Sequence, residues 1–331
     1  MLLEKGSMKV LITGAAGFIG SHLVEHLVAN TDWDLHIIDR LNYASSLDRI
    51  AHLHNRMNFH YHDLRSPLPD QLLHALKGTD YIIHSAAETH VENSLHNPGV
   101  FVESNVGGTF NMLEAARKLQ PSKFVMVSTD EVFGPAPVEV DYKENDRFAP
   151  SNPYSATKAA SECLAMAWAN CFQLPMIITR TMNNFGERQH PEKFVPLVIQ
   201  RVLNGDIVPI HSDGTNPGSR KWLHARNHAD AILFLLQHNA AGAFHIAGEE
   251  RNNLELAQMI AGILGKPLRH KLIDYHSSRP GHDMRYSLDG SKIAALGWKP
   301  PVPFASSLAK TVAWTTEHVE WLWSAGELIN V

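Results

Sequence analysis

Two cysteines in 331 residues, Cys163 and Cys171, are too few for a disulfide framework. Both fall within one predicted helix and are expected as small core residues in a reducing cytoplasm. No apolar run approaches the roughly 20 residues that span a bilayer, and residues 1–7 (MLLEKGS) lack the apolar core of a signal peptide. A cytoplasmic location is therefore expected. Positive charge is also short. The 29 Lys and Arg against 34 Asp and Glu leave a net charge of −5, with no basic footprint for nucleic acid. An anionic ligand must be held by local cations and helix ends instead. Neither HExxH nor CxxC occurs, and the 21 scattered histidines, His52/His54 and His60/His62 among them, do not make a ligand set. No metal is expected, and no internal repeat or low-complexity tract interrupts the chain.

With 44% hydrophobic and 19% charged residues, the composition is that of an ordinary globular protein with a sizeable core. The first half alternates short apolar strands, expected at 8–13, 35–39, 57–61, 79–84, 123–128 and 175–180, with amphipathic helices at 18–29, 67–77, 99–119 and 153–172. Such βαβ alternation predicts an α/β fold, a Rossmann-type doubly wound parallel sheet with helices on both faces. After about residue 181 the elements shorten: helices at 193–204, 226–238, 253–264 and 303–318, strands at 207–210, 220–224 and 243–246. Residues 8–181 are expected to bind a dinucleotide. Residues 182–331 are expected to form mainly a smaller substrate-binding lobe, with segments returning to the main sheet.

Between the first strand and first helix lies Thr13-Gly14-Ala15-Ala16-Gly17-Phe18-Ile19-Gly20. Gly14, Gly17 and Gly20 permit a tight turn, close backbone approach to a pyrophosphate and close helix–strand packing. Phe18 and Ile19 open the helix, whose free N–H groups and positive dipole end suit an anion. A glycine triplet alone often only joins strand to helix, but Asp39 ends the second strand 19 residues after Gly20. A carboxylate there suits the ribose hydroxyls of NAD and repels a 2′-phosphate, although Arg40 beside it weakens that exclusion. Asp63-Leu64 and Ala86-Ala87 follow the third and fourth strands on the same side. A helix cap at Asp63 and simple packing at the alanines are the lesser readings of these positions.

The fifth strand closes on Ser128-Thr129-Asp130-Glu131, and Tyr154-Ser-Ala-Thr-Lys158 follows 23 residues after Glu131. Ligands bind at the carboxyl ends of such strands, so Thr129, Asp130 and Glu131 project into a site. Tyr154 and Lys158, four apart, share one helix face, and an ammonium near a phenol favours the phenolate. Taken alone, the acidic pair is also compatible with a capping Asp and a solvated Glu.

The glycine pattern, Asp39, the strand-end Thr129 and the YxxxK pair together resemble the extended short-chain dehydrogenase/reductase family. Within it the similarity is closest to the dTDP-glucose 4,6-dehydratases, and it runs from about Met8 to about Trp314. It rests on IDRLNYASSL (38–47), AAETHVENS (86–94), VSTDEVFG (127–134), PSNPYSATKAASE (150–162), NNFGERQHPEKFVPLVI (183–199), RKWLHARNHADA (220–231) and RPGHDMRYSLD (279–289). The resemblance implies an NAD-dependent hydro-lyase that turns a nucleotide hexose into its 4-keto-6-deoxy form. It implies that Tyr154 takes the C4 hydroxyl proton while NAD takes the hydride, with Lys158 holding the nicotinamide ribose and lowering the Tyr154 pKa. Thr129 would bond the C4 oxygen, Glu131 remove the C5 proton and Asp130 protonate the leaving C6 hydroxyl. For the nucleotide sugar it points to Thr89, Asn183, Glu192, Lys193, Arg220 and Arg279, with His245 near the base pocket. It also implies a homodimer through helices 99–119 and 153–172.

Departures from the family pattern fall at Ser45-Ser46, Ser278, His245 and the loop 212–219, which leaves UDP-glucose or UDP-GlcNAc as alternatives to dTDP-glucose. A sister epimerase or decarboxylase and a non-catalytic NAD-binding scaffold are the competing readings.

Overall fold

Strand β1 (Lys9–Thr13) sends Val10 and Ile12 into one apolar cluster and Leu11 into another, so the sheet is buried on both faces. The structure, a computed structural model, describes residues 7–213, 216–274 and 285–323. The remaining first-half strands are β2 (Asp34–Asp39), β3 (Met57–Tyr61), β4 (Tyr81–His84), β5 (Lys123–Thr129) and β6 (Met176–Thr181). They are followed by β7 (Asn183–Phe185), β8 (Val208–Ser212), β9 (Ser219–His224), β10 (Gly242–Ile246), β11 (Glu249–Asn252), β12 (His270–Asp274) and β13 (Arg285–Tyr286). Seven of these make a parallel sheet in the order β10-β6-β5-β4-β1-β2-β3. The order reverses between β1 and β4, where a doubly wound sheet opens its ligand crevice. Helices Phe18–Asn30 and Ala225–Gln237 pack together over the cluster holding Leu23, Leu27, Ile232 and Leu235. Helices Gly108–Leu119 and Pro153–Phe172 cover the other, with Met112, Leu113 and Ala165.

A third cluster, including Phe185, Ile199, Trp222, Ile260 and Phe304, lies among the later elements. There β9 pairs with β7, β11 and β13, while β8 pairs with β12. Strand β10 leaves these later elements and adds to β6, with His245 opposite Arg180.

Local chemistry sets several boundaries. Asn152 caps helix Pro153–Phe172 by accepting from the Ser155 N–H at 2.9 Å, and Ser155 Oγ accepts in return from the Asn152 N–H at 3.1 Å. The helix expected at 67–77 shrinks to Asp70–Ala75, because Pro67 and Pro69 keep the chain extended before it. The helix expected at 99–119 contains a π-helical turn, Val102–Gly107. That turn carries Asn105, which bonds Glu88 through both backbone groups and Thr157 through its hydroxyl. The cysteines correct an expectation: Cys163 and Cys171 are both exposed thiols.

Candidate active site

The carboxyl ends of β1, β2, β4, β5 and β6 open into one cleft of about 430 Å³. At its floor Gly14 adopts φ +71°, and a Cβ there would lie 2.6 Å from the Ala86 Cα. A Cβ on Gly20 would lie 2.2 Å from the Gly14 carbonyl oxygen, so helix and strand meet at a distance only glycine allows. The helix starting at Phe18 has Gly17 as its cap residue, with no side-chain cap, and has no acidic residue in its first turn. Its N-terminal N–H groups are thus left for an anion. Asp39 accepts from the Ala16 N–H at 2.9 Å, the Leu41 N–H at 2.8 Å and Ser45 Oγ at 3.1 Å, which fixes its carboxylate at the end of β2. Arg40 pairs instead with Asp63 and Glu88. Burial raises the Asp63 pKa, but Arg65 and Arg40 outweigh it and bring the carboxyl down to about 2. The glycine cradle, uncapped helix end and strand-end carboxylate fit NAD.

Beyond this half, β5 delivers the acidic pair. Thr129 caps the short helix Asp130–Phe133 by accepting from the Glu131 N–H at 3.3 Å, and its own hydroxyl donates to Asp130 Oδ1 at 2.9 Å. Asp130 Oδ2 is buried with no hydrogen-bond partner. Burial, with Glu131 adding, pushes the Asp130 carboxyl up to about 7. Glu131 is half-buried and accepts from Asn152 Nδ2 at 3.1 Å. The two neighbours therefore differ in solvation and partners, which is how adjacent carboxyls take acid and base roles at one pH.

Tyr154 lies buried against Phe101. Lys158 is buried one helical turn further along the same helix. Its Nζ donates to the Val127 carbonyl at 2.8 Å, and burial lowers its pKa to about 8 against the opposing charge of Glu162. The phenol pKa is raised, chiefly by burial and then by Glu131 and Asp130, against a hydrogen bond with Thr129. Desolvation and two carboxylates thus hold the phenol in its protonated form.

The cleft is lined by Gly14, Gly17, Phe18, Ile19, Gly20, Asp39, Asp63, Leu64, Ala86 and Ala87 on the dinucleotide side. Thr129, Asp130, Glu131, Tyr154 and Lys158 also line it, as do Thr89, Asn183, Glu192, Lys193 and Arg220. Arg220 lies with its guanidinium carbon 4.7 Å from the Tyr286 ring centre. Arg279 falls outside the described residues.

His245 is a correction: it is fully buried and does not line the cleft. Its Nδ1 meets the Tyr142 carbonyl at 3.1 Å and its Nε2 meets Arg180 Nη1 at 3.2 Å. Burial and Arg180 lower its pKa to about 3, so the neutral ring donates through Nδ1 and accepts through Nε2. His245→Asn should leave the relative kcat/KM for dTDP- and UDP-sugars unchanged. It should cost about 1–3 kcal/mol in urea unfolding, because buried polar partners lose their bonds. Residues that sequence reasoning missed include Asn152, which holds Glu131, and Asn105, which pins Glu88 to the Tyr154 helix. The N-cap spacing at Asn152 was visible, but nothing in the sequence marks its second contact.

Comparison with known proteins agrees with this geometry. Residues 11–311 match the GDP-mannose 4,6 dehydratase family model. The dTDP-glucose 4,6-dehydratase of Salmonella typhimurium is 38% identical, covering 95% of this chain and 94% of its own. That of Streptomyces niveus is 39% identical over the same shares. Among solved structures, the Streptomyces venezuelae dTDP-glucose 4,6-dehydratase with NAD bound superposes with a TM-score of 0.89 at 38% identity, covering 96% of this chain and 100% of that one. The Thermus thermophilus UDP-glucose 4-epimerase with NAD gives 0.85 at 28% identity, covering 93% and 99%. With the family model spanning almost the whole fold and the acidic pair standing beside Tyr154, the chain belongs to the GDP-mannose 4,6-dehydratase family, as an NAD-dependent nucleotide-sugar 4,6-dehydratase.

Proposed function

We propose that dTDP-glucose is the hexose nucleotide this chain dehydrates, to the 4-keto-6-deoxy sugar, and that Thr129, Asp130, Glu131, Tyr154 and Lys158 carry the reaction. The observation that supports this most is the unequal pair: Asp130, with a carboxyl raised to about 7 and one oxygen unbonded, next to Glu131, which Asn152 orients. When bound, NAD supplies the hydride acceptor at C4, the hydride donor at C6 and a cationic ring whose charge favours the Tyr154 phenolate. Tyr154 then takes the C4 hydroxyl proton while Thr129 bonds the C4 oxygen. The C4 ketone acidifies C5, Glu131 removes that proton, and Asp130 gives its own to the departing C6 hydroxyl, which leaves as water. Arg220 and Lys193 suit the diphosphate, the guanidinium by its paired donors. Incubation with dTDP-glucose, UDP-glucose and UDP-GlcNAc, with products read by mass spectrometry, tests the reading. A 4-keto-6-deoxy product from dTDP-glucose alone is expected; an epimer, or CO₂ release, overturns it.

NAD should bind at least about tenfold more tightly than NADP in calorimetry, because the fixed Asp39 carboxylate repels a 2′-phosphate.

We read residues 8–181 as the dinucleotide half and 182–331 as mainly the nucleotide-sugar half, with β10 returned to the main sheet. The chain is read as cytoplasmic: among the described residues no helix is long and apolar enough to cross a membrane, and two exposed thiols suit a reducing compartment. A homodimer is supported by Val102, Phe110, Met166 and Phe172, all exposed on the helices of 98–119 and 153–172. Phe110→Asp should shift the mass measured by light scattering from two chains to one.

A further inference from the structure

Arg49 and Arg180 are the largest fully buried side chains described, yet Arg49, unlike Arg180, forms no ion pair among the described residues. Backbone oxygens surround it instead. Nη1 donates to the Ala16 carbonyl at 2.9 Å and the Ala44 carbonyl at 2.7 Å, and Nε donates to the Arg188 carbonyl at 3.1 Å. The guanidinium carbon lies 5.2 Å from the ring centre of Trp321. Burial lowers its pKa, but only to about 10, so it stays charged. A cation taken out of water here is gripped directly by carbonyls and one aromatic face, with Asp39 attracting it and Arg188 repelling it without a direct ion pair.

What those carbonyls belong to gives the arrangement its meaning. Ala16 sits in the glycine turn. Its oxygen also accepts from the Ser46 N–H at 3.0 Å, its N–H donates to Asp39 at 2.9 Å, and the Gly17 N–H donates to the Gly14 carbonyl at 3.2 Å. Peptide units are planar, so these bonds fix both planes flanking Ala16 and thereby aim the uncapped N-terminus of the Phe18 helix. On the other side, Arg188 adopts φ +62°, a conformation uncommon for residues with a Cβ, and its carbonyl meets Arg49. The next carbonyl, Gln189, accepts from Trp321 Nε1 at 3.1 Å, and Gln189 and His190 line the cleft. One guanidinium and one indole, face to face, thus grip the cofactor turn and the substrate loop together.

We propose that Arg49 and Trp321 are positioning residues that lock the glycine turn to the loop 186–193, so that the C-terminal residues 318–323 set how tightly the cofactor is held. A lysine cannot replace Arg49, because a single ammonium lacks the planar fork that reaches three carbonyls and stacks on an indole. The substrate-loop half rests on the reading of the cleft as the nucleotide-sugar site; the cofactor half does not.

The test is calorimetric NAD binding without sugar, followed by KM for dTDP-glucose at saturating NAD. Trp321→Leu should weaken NAD about tenfold, the worth of a desolvated cation–π contact, with kcat at saturating NAD unchanged. Trp321→Phe keeps an aromatic face but loses the N–H. It should bind NAD like the wild type while KM for the sugar rises up to about tenfold, the worth of one hydrogen bond. A merely structural role would lower the unfolding midpoint in both variants without separating NAD affinity from KM. Should Trp321→Leu fail to fold, Arg49→Lys supplies the same reading, with NAD again about tenfold weaker. Wild-type NAD affinity in the Leu and Lys variants overturns the cofactor half, and an unmoved KM in Trp321→Phe overturns the substrate-loop half.

Discussion

Glu131→Gln is expected to keep oxidation at C4 and to slow dehydration by about 10²–10⁴-fold, the usual worth of a general base. NADH absorbance should build up with dTDP-glucose while no 4-keto-6-deoxy product appears, and solvent deuterium should stop entering C5. Asp130→Asn should also oxidise C4 and slow dehydration, but C5 exchange in D₂O should persist, because Glu131 is untouched. Tyr154→Phe should abolish both steps, since no hydride leaves C4 unless its hydroxyl proton is taken. Wild-type dehydration by Glu131→Gln would show that the base lies elsewhere.

The pH dependence separates the two carboxyls further. Asp130 acts as an acid only while protonated, and burial with Glu131 has raised its pKa from 3.8 to about 7. The dehydration rate should therefore fall as pH rises through about 7, and Asp130→Asn should lack that limb. Stability follows the same sign. A carboxyl whose folded pKa is raised favours the fold below its unfolded pKa, and that contribution is lost as pH climbs through the folded value. Between about 3.8 and 7 the wild type should lose stability that Asp130→Asn keeps. The chemistry of this site is maintained at the expense of the fold.

The second large effect lies outside the cleft. Glu162 and Arg180 are both buried, with Arg180 Nη2 2.7 Å from Glu162 Oε2 and two further bonds from Nε at 3.1 and 3.0 Å. Phe133 and Phe148 cover the guanidinium at 4.9 and 5.1 Å. Glu162→Ala should cost about 3–5 kcal/mol in urea unfolding, because it strands a buried cation. A Glu162→Leu/Arg180→Met double variant should recover most of that loss, since it removes both charges together. If the single variant unfolds at the wild-type midpoint, Arg180 has found another counterion.

Some residues carried their meaning in the sequence itself. Thr129, Asp130 and Glu131 are consecutive at a strand end, and Tyr154 and Lys158 are one helical turn apart, so local geometry alone converges them. Gly14, Gly20 and Asp39 were legible for the same reason: each sits at a strand–helix junction whose backbone demands a particular residue. Five of the six first-half strands were readable because each carries a buried apolar stretch, whereas β3 has no fully buried residue and was placed by the βαβ alternation around it. Strands β7, β11, β12 and β13 were not, being five residues or fewer and in part polar, too short to show a period.

What only the tertiary structure decided was the company each residue keeps. His245, on a returning strand, was turned toward Arg180 and away from the cleft by pairing with β6. Lys158 was given to the Val127 carbonyl, and Tyr154 to two carboxylates, so the acidity of the phenol is set by burial, which no spacing reports. Arg49 looks like any surface arginine in the chain. It becomes a junction only because the fold brings Ala16 and Arg188 to it across 33 and 139 residues. Sequence fixes which groups neighbour one another within a turn or a strand end; desolvation and long-range hydrogen bonding arise only when the layers close.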